Sequence, residues 1–294
     1  AQEWLPSTPM HVIMYKAFGW EPPQFCHLPM VMGNDGQKLS KRHGATSCNE
    51  FRNKGYLKEA VINYVAMLGC SYEDGRDMYS LPELEKLFSM EHLNKSPAVF
   101  DYKKLEWFNG QYIREKTDEE LFGLTGPYVA NSGIFGAIDP EKQKAAGCKF
   151  ENETYLKPTT EQKDILMRVM PLVKERLHFL NEIAGMVRFL FEEPAIPPLE
   201  EIIPKKLDAE TTKNALLKAC EVMPKIKDLD EHSAGEFFRA EAESMGIKLG
   251  DFMMPIRMAV TGSRISPPLV GSIQILGIPQ AIARIEKTIK ERFS

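Results

Sequence analysis

Apolar side chains at Leu5, Val12, Ile13, Tyr15 and Phe18 predict a helix from about Thr8, with Pro9 at its first position, where a missing N–H costs nothing. A short apolar run at 28–32 then meets Asn34-Asp35-Gly36. Residues that tolerate positive φ after such a run predict a strand and a tight turn, followed by a polar segment over 37–44. This is the one strand the pattern supports. After about residue 48 the period changes to helical. Leu57, Val61, Tyr64, Val65 and Leu68 share one face, and Gly69 is the stop. Thr117 with Glu120, and Thr159 with Gln162, have the spacing of capping boxes. The second opens a long helix striped by Ile165, Leu166, Val169, Leu172, Val173, Leu177 and Leu180, which Pro171 should kink. Between the two boxes, 123–158 is rich in Gly and Pro and reads as irregular.

Pro194-Ala195-Ile196-Pro197-Pro198 is the best linker candidate. Four or five shorter helices are expected beyond it. Asp208 caps one, Ser233 with Glu236 another that ends at Gly246, Ser266 before Pro267 suits a third start, and Pro279 opens the last, with Ile282, Ile285 and Ile289 as its buried stripe. There is no internal repeat or low-complexity tract.

The bulk numbers narrow the classes. At 294 residues and 43% hydrophobic content, this is globular material for two or three domains. No apolar run approaches the ~18 residues of a membrane helix, and no signal-peptide pattern opens the chain. Cys26, Cys48, Cys70, Cys148 and Cys220 are too far apart for paired metal ligation, so no metal site is expected. Reduced thiols and a cytoplasmic location follow from that usage. The net charge of −4 argues mildly against a nucleic-acid binder, but its distribution is uneven. Residues 1–58 carry seven Lys or Arg against four acids, a local +3, which leaves −7 for the rest. Any RNA contact would need a local basic face. The chain opens on Ala1 rather than Met and begins abruptly on patterned sequence, which reads as an N-terminal truncation.

The strongest chemical signal is Lys38-Leu39-Ser40-Lys41-Arg42-His43-Gly44. It puts three cations and a hydroxyl within five residues, just after a strand and a tight turn, with Gly36 and Gly44 at its ends. Convergent ammonium groups suit a polyphosphate, because charge-assisted bonds to phosphate are short and strong. Lysines aimed where charge develops on a departing pyrophosphate lower its barrier. Taken alone, a short basic run is more often a solvated turn.

Context shifts that balance. The stretch 28–44 resembles the signature loop of class I aminoacyl-tRNA synthetases in its glutamyl form, where the general K-M-S-K-S becomes K-L-S-K-R. Around it, E-W-L-P-S-T-P at 3–9 and G-W-E-P-P at 19–23 resemble the segments that precede that loop. Phe51-Arg52, Gly55-Tyr56-Leu57 and Asn63-Tyr64 resemble those that follow it. K-S-P-A-V-F-D at 95–101, Trp107 and Tyr112-Ile113-Arg114 are similar to the family's stem-contact region. M-A-V-T-G at 258–262, Ser266-Pro267-Pro268 and Leu276-Gly277 are similar to the end of its anticodon-binding region. The weakest likeness is at 123–158.

The resemblance implies a mainly α chain: the tail of a class I α/β catalytic domain over 1–45, a helical stem-contact domain over 46–115, and helical anticodon-binding bundles over 116–200 and 201–294. It implies a ligase that activates glutamate with ATP and Mg2+ and passes it to tRNA(Glu), working as a monomer. Lys41 is then the catalytic cation, and Lys38, Ser40, Lys41 and Arg42 form the ATP-binding loop. Lys95, Lys103, Lys104, Arg257 and Arg264 are the candidate tRNA contacts, each weighed against a solvated surface role. The family's H-I-G-H motif is not found around His11, His27, His43, His92, His178 or His232, so the chain alone is expected not to catalyse and to carry no Mg2+ ligands. A freestanding tRNA-binding module with a vestigial loop is the alternative, and a helical scaffold a weaker one. Trp4, Trp20 and Trp107 are expected as core or interface anchors rather than base-stacking platforms, and Met253, Met254 and Met258 as helix packing.

Overall fold

A computed structural model describes residues 2–44, 46–72, 75–136 and 158–294. Contacts group the chain into two units, 1–115 and 116–294. Elements are numbered in order among the described residues.

In the first unit a 3-10 turn (Gln2–Ser7) runs into α1 (Thr8–Ala17), with Pro9 in the first turn as expected. Neither piece buries a side chain; Met10, Ile13, Phe18 and Trp20 are exposed. The strand is shorter than the apolar run implied: β1 is Val31–Met32. A second strand, β2 (Ala98–Val99), was not legible in the sequence and pairs with β1 in parallel, Val31 opposite Ala98. The Phe100 N–H extends the pairing to Met32 O (2.9 Å).

Helices α2 (Cys48–Asn53), α3 (Lys58–Gly69), α4 (Leu81–Leu87) and α5 (Tyr102–Glu115) complete the unit. α3 ends at Gly69 as expected, but Val65 and Ile62 are exposed, and the inner face carries Ala60, Asn63 and Tyr64. Asn63 is fully buried, yet its amide is satisfied. Its Oδ1 accepts from the Tyr79 N–H (2.8 Å) and the Tyr112 hydroxyl (2.7 Å), and its Nδ2 donates to Asp77 O (3.1 Å). Asn109 does the same between elements, accepting from the Leu57 N–H (2.7 Å) and donating to Gly55 O (3.2 Å). Buried amides that make all these bonds fix a unique packing, since each bond left unmade would cost a desolvation penalty.

In the second unit, both expected capping boxes form. The Thr117 hydroxyl accepts from the Glu120 N–H ahead of α6 (Asp118–Asn131), and Thr159 from Gln162 ahead of α7 (Thr160–Lys174). α6 continues through Gly123, Gly126 and Pro127, so the irregular stretch begins later than predicted; 137–157 lies outside the described residues. α7 passes through Pro171 and ends at Lys174. Leu177 and Leu180 are buried beyond it in separate turns before α8 (Ile183–Val187).

After α9 (Leu199–Ile202) come α10 (Ala209–Val222), α11 (Glu231–Ser244), α12 (Leu249–Thr261), α13 (Leu269–Leu276) and α14 (Ile278–Arg292). Asp208 caps α10 as expected (Thr211 N–H to Oδ1, 2.7 Å). α11 starts earlier than the Ser233–Glu236 pair suggested, because Asp230 accepts from the Ser233 N–H (2.8 Å) and takes the cap. α10 to α14 share a core that includes Leu216, Phe238, Phe252, Ile256, Val270 and Ile285. Met258 is buried in α12 and Met253 packs against the core, as expected.

The proline-rich stretch at 194–198 is not a free linker. Arg292 donates to Pro197 O (3.0 Å) and Ile196 O (3.0 Å), and Arg284 to Glu192 O (3.3 Å). A Cβ at Gly262, whose φ is +68°, would stand 2.6 Å from the Pro194 Cβ. The three tryptophans are exposed, contrary to a core placement: Trp4 at 58%, Trp20 at 61% and Trp107 at 44%.

Candidate functional site

The loop begins as a hairpin. After β1 the chain reverses, with Gly33 N–H donating to Gln37 O (2.8 Å) and Leu39 N–H to Val31 O (2.9 Å). Gly36, at φ +71°, makes the turn, and the Asp35 carboxylate accepts from the Gln37 N–H (2.9 Å). That bond, reinforced by His43, holds the Asp35 carboxyl below the usual carboxylate range. Ser40 is extended and leads into a single 3-10 turn, Lys41–His43. Two constraints hold the far side. Gly44 lies under the Tyr102 ring, where a Cβ would come within 3.0 Å. Then Ser47 and Glu50 exchange capping bonds to open α2. The Glu50 carboxylate accepts from the Thr46 N–H (2.9 Å) and the Ser47 N–H (3.0 Å), which lowers its pKa to about 2. Tyr102 belongs to an aromatic run with Phe100 (4.7 Å between centroids), which meets Tyr64 edge-to-face (5.0 Å) and stacks on Phe51 (6.1 Å). The loop thus hangs between a strand pair and an aromatic core.

Within the loop the three cations differ. Lys38 is ion-paired with Glu3. Arg42 reaches Asp35 Oδ2 (3.4 Å). Lys41 is exposed, and among the described residues no hydrogen bond or ion pair ties up its ammonium. Chemically, the arrangement presents one uncommitted ammonium on a braced turn, flanked by two exposed cations that an anion could recruit from weak surface pairs.

Comparison with known proteins gives the same chain two family matches. Residues 1–107 match the class I tRNA synthetase catalytic domain (E and Q), and 146–289 match an anticodon binding domain. The glutamate–tRNA ligase of Treponema denticola is 83% identical over 293 residues, covering 100% of this chain and 58% of that protein. That of Borreliella burgdorferi is 42% identical, over 97% of this chain and 54% of that protein. This chain belongs to the glutamate–tRNA ligase family. The crystal structure of a glutamate tRNA ligase from Elizabethkingia meningosepticum in complex with its amino acid superposes with a TM-score of 0.63 at 28% identity, covering 99% of this chain and 56% of that one. The chain therefore spans little more than half the length of the family members it matches.

The family's RNA-facing candidates are scattered. Lys95 and Lys103 are exposed in the first unit. Lys104 is exposed but paired with Asp77 (3.3 Å). In the second unit Arg264 is exposed, with one long bond to Glu201 O (3.4 Å). Arg257 has a structural occupation that its sequence position did not reveal. It is half-buried, and its Nη1 donates to Pro267 O (2.9 Å) and to the Ser266 hydroxyl. Burial and then the neighbouring Arg176, which also donates to Ser266 O (2.9 Å), lower its pKa. Sequence reasoning read Asp35 only as a turn former and missed its contact with His43, and it missed Gly33, His43 and Tyr102 as residues that build the lysine turn. One signal was available. Ser40 followed three positions later by His43 has capping-box spacing, with histidine where Glu or Gln is usual.

Among the described residues no helix is long and apolar enough to cross a membrane, and no group of three or more His, Cys, Asp or Glu could hold a metal ion.

Proposed function

We propose that the chain supplies the ATP-phosphate loop and tRNA-holding helices of an enzyme that activates glutamate with ATP and transfers it to tRNA(Glu). Lys41 is the catalytic cation in this reading; Lys38, Ser40 and Arg42 complete the ATP loop. The observation that carries it is the exposed Lys41 ammonium on a braced turn, which makes no hydrogen bond or ion pair among the described residues and stands between two cations already paired. A lysine aimed at the bridging and β-phosphate oxygens gains interaction as pyrophosphate leaves, so it favours the transition state over bound ATP. Mg2+ would arrive with the phosphates, and no residue of this chain is assigned as its ligand. The turn that holds Lys41 is the tail of a catalytic domain (1–45). The stem-contact region is 46–115, and 116–200 and 201–294 form the anticodon-binding part. Lys95, Lys103, Lys104 and Arg264 are the cations offered to tRNA phosphates; Arg257, whose Nη1 is spent on Ser266 and Pro267, is the weakest of the five candidates.

The test is glutamate- and tRNA-dependent ATP–pyrophosphate exchange in a protein of the relatives' full length that carries this chain. Lys41→Ala should slow exchange on the order of a hundredfold, with a smaller change in the KM for ATP. Lys16→Ala, outside the loop, should change little. Full activity in Lys41→Ala, or an equal loss in Lys16→Ala, would defeat the assignment.

A further inference from the structure

The lysine turn is held by His43, a side chain outside the proposed ATP-binding residues. His43 Nδ1 lies 3.0 Å from the Ser40 N–H, which can only donate, and 3.2 Å from Ser40 O, which can only accept. The shorter contact makes Nδ1 the acceptor, and Ser40 O already takes the His43 backbone N–H (2.9 Å). The Ser40 hydroxyl lies 3.2 Å from the same nitrogen. A neutral imidazole that accepts at Nδ1 carries its proton on Nε2, and that N–H points at Asp35 Oδ1 (3.1 Å). The ring lies against Gly33, where a Cβ would meet its Cδ2 at 2.7 Å and its Nε2 at 2.8 Å. His43 therefore ties three points of the loop together: the hairpin at Gly33, the turn at Asp35, and the backbone at Ser40, one residue before Lys41. The second oxygen of Asp35 faces Arg42 on the other side of Lys41.

We propose that His43 and Asp35 are positioning residues that form a clasp fixing the backbone from which Lys41 projects. This rests on the reading of Lys41 as the phosphate-facing cation. A long flexible side chain loses less freedom on reaching a phosphate when its own Cα is already fixed, so the clasp acts on the rate through Lys41 and touches no substrate. Asp35 holds the imidazole in the tautomer that leaves Nδ1 free to accept from Ser40. In the ordinary capping box a Glu or Gln makes that return bond. Histidine makes it through Nδ1 and keeps its Nε2–H as a donor for Asp35 on the hairpin turn.

The experiment uses the same full-length protein and the same exchange assay. His43→Ala and Asp35→Ala should each lower kcat by roughly tenfold, the size of one lost charge-assisted bond, with less change in the KM for ATP. His43→Gln, which retains an acceptor for the Ser40 N–H, should recover part of the loss and guards against a variant that merely folds poorly. The deciding arm is the double mutant. In a Lys41→Ala background, His43→Ala should cause no further loss, because the route of its effect is already gone. A loss that multiplies with that of Lys41→Ala would make His43 a general structural residue and overturn the clasp, as would full activity in His43→Ala. Full activity in Lys41→Ala would instead sink the reading of Lys41. In that case the 15N spectrum of His43 judges the geometry alone, which requires a proton on Nε2 and none on Nδ1.

Discussion

Cations in the two units of this chain have opposite employments. In the turn at 38–43 they point outward, and the central one, Lys41, has no bonded partner among the described residues. In the closing bundle, arginines turn inward onto backbone carbonyls. Arg284 is only 6% exposed and donates to Val260 O (2.8 Å) and Glu192 O (3.3 Å). Arg176, Arg257 and Arg292 bond to the carbonyls of Ser266, Pro267, Ile196 and Pro197. Side-chain chemistry favours this division without making it strict, since Arg42 stands in the outward turn and Lys213 bonds Phe293 O (2.9 Å) in the second unit. A guanidinium offers five donors in a rigid plane and satisfies several carbonyls at once, whereas an ammonium on a flexible stem adapts to an anion that comes and goes. Positive charge in a sequence therefore does not mark a binding face until one knows whether carbonyls already surround it.

Mutation can break that contrast. Lys41→Ala should carry the largest effect, on the order of a hundredfold in exchange rate, while its thermal unfolding stays at the parent midpoint. A large fall in Tm would mean that Lys41 is a staple after all. Arg284→Met should do the reverse. It leaves two carbonyls without their donor inside the bundle and should destabilise the fold by about 2–3 kcal/mol, measured by urea unfolding of the second unit. An unchanged midpoint would show that those bonds are replaced by water.

A smaller effect is expected at Gly262. Its φ of +68° and the proximity of Pro194 both disfavour a side chain, so Gly262→Ala should cost about 1–2 kcal/mol. An unaltered stability would mean that the proline stretch gives way freely.

The smallest effect concerns pH, in the unit where exposed charge dominates. Glu50 and Glu83 both titrate at about 2 in the folded chain, below the model-peptide value of 4.5, because backbone N–H groups at Thr46, Ser47 and Ser80 bond to their carboxylates. A depressed folded pKa means that the stabilisation is full above 4.5 and is lost as pH falls from there to about 2. Acid titration of the parent and of Glu50→Gln should show that the variant loses less stability across that window; identical curves would remove Glu50 from the account.

Much of this architecture was legible in local chemistry. The boxes at Thr117 and Thr159, the cap at Asp208, the stop at Gly69 and the proline start at 279 are set by bonds within four residues, which a sequence displays directly. The basic turn was legible for the same reason. What escaped depends on partners distant in sequence. β2 is two residues long and pairs with a strand 67 positions away in register. Arg257 looked like a surface residue until Ser266 and Pro267 were seen around it. Asp35 was legible as a turn former, but not as the carboxylate that orients His43. Gly123, Gly126 and Pro127 suggested a break that tertiary packing overrides, since Leu121, Thr125 and Val129 of the same helix are buried.

The grip of Arg292 on Pro197 carries a consequence for the order of events during synthesis. The donor is made 95 residues after the carbonyl it holds. At about 5–20 residues per second, the ribosome needs roughly 5–20 s to reach it. Through that interval the proline stretch and the helices on either side of it exist without their lock. A nascent chain would thus pass a period in which the second unit is open to chaperones and proteases, closing only when the last turn of α14 emerges.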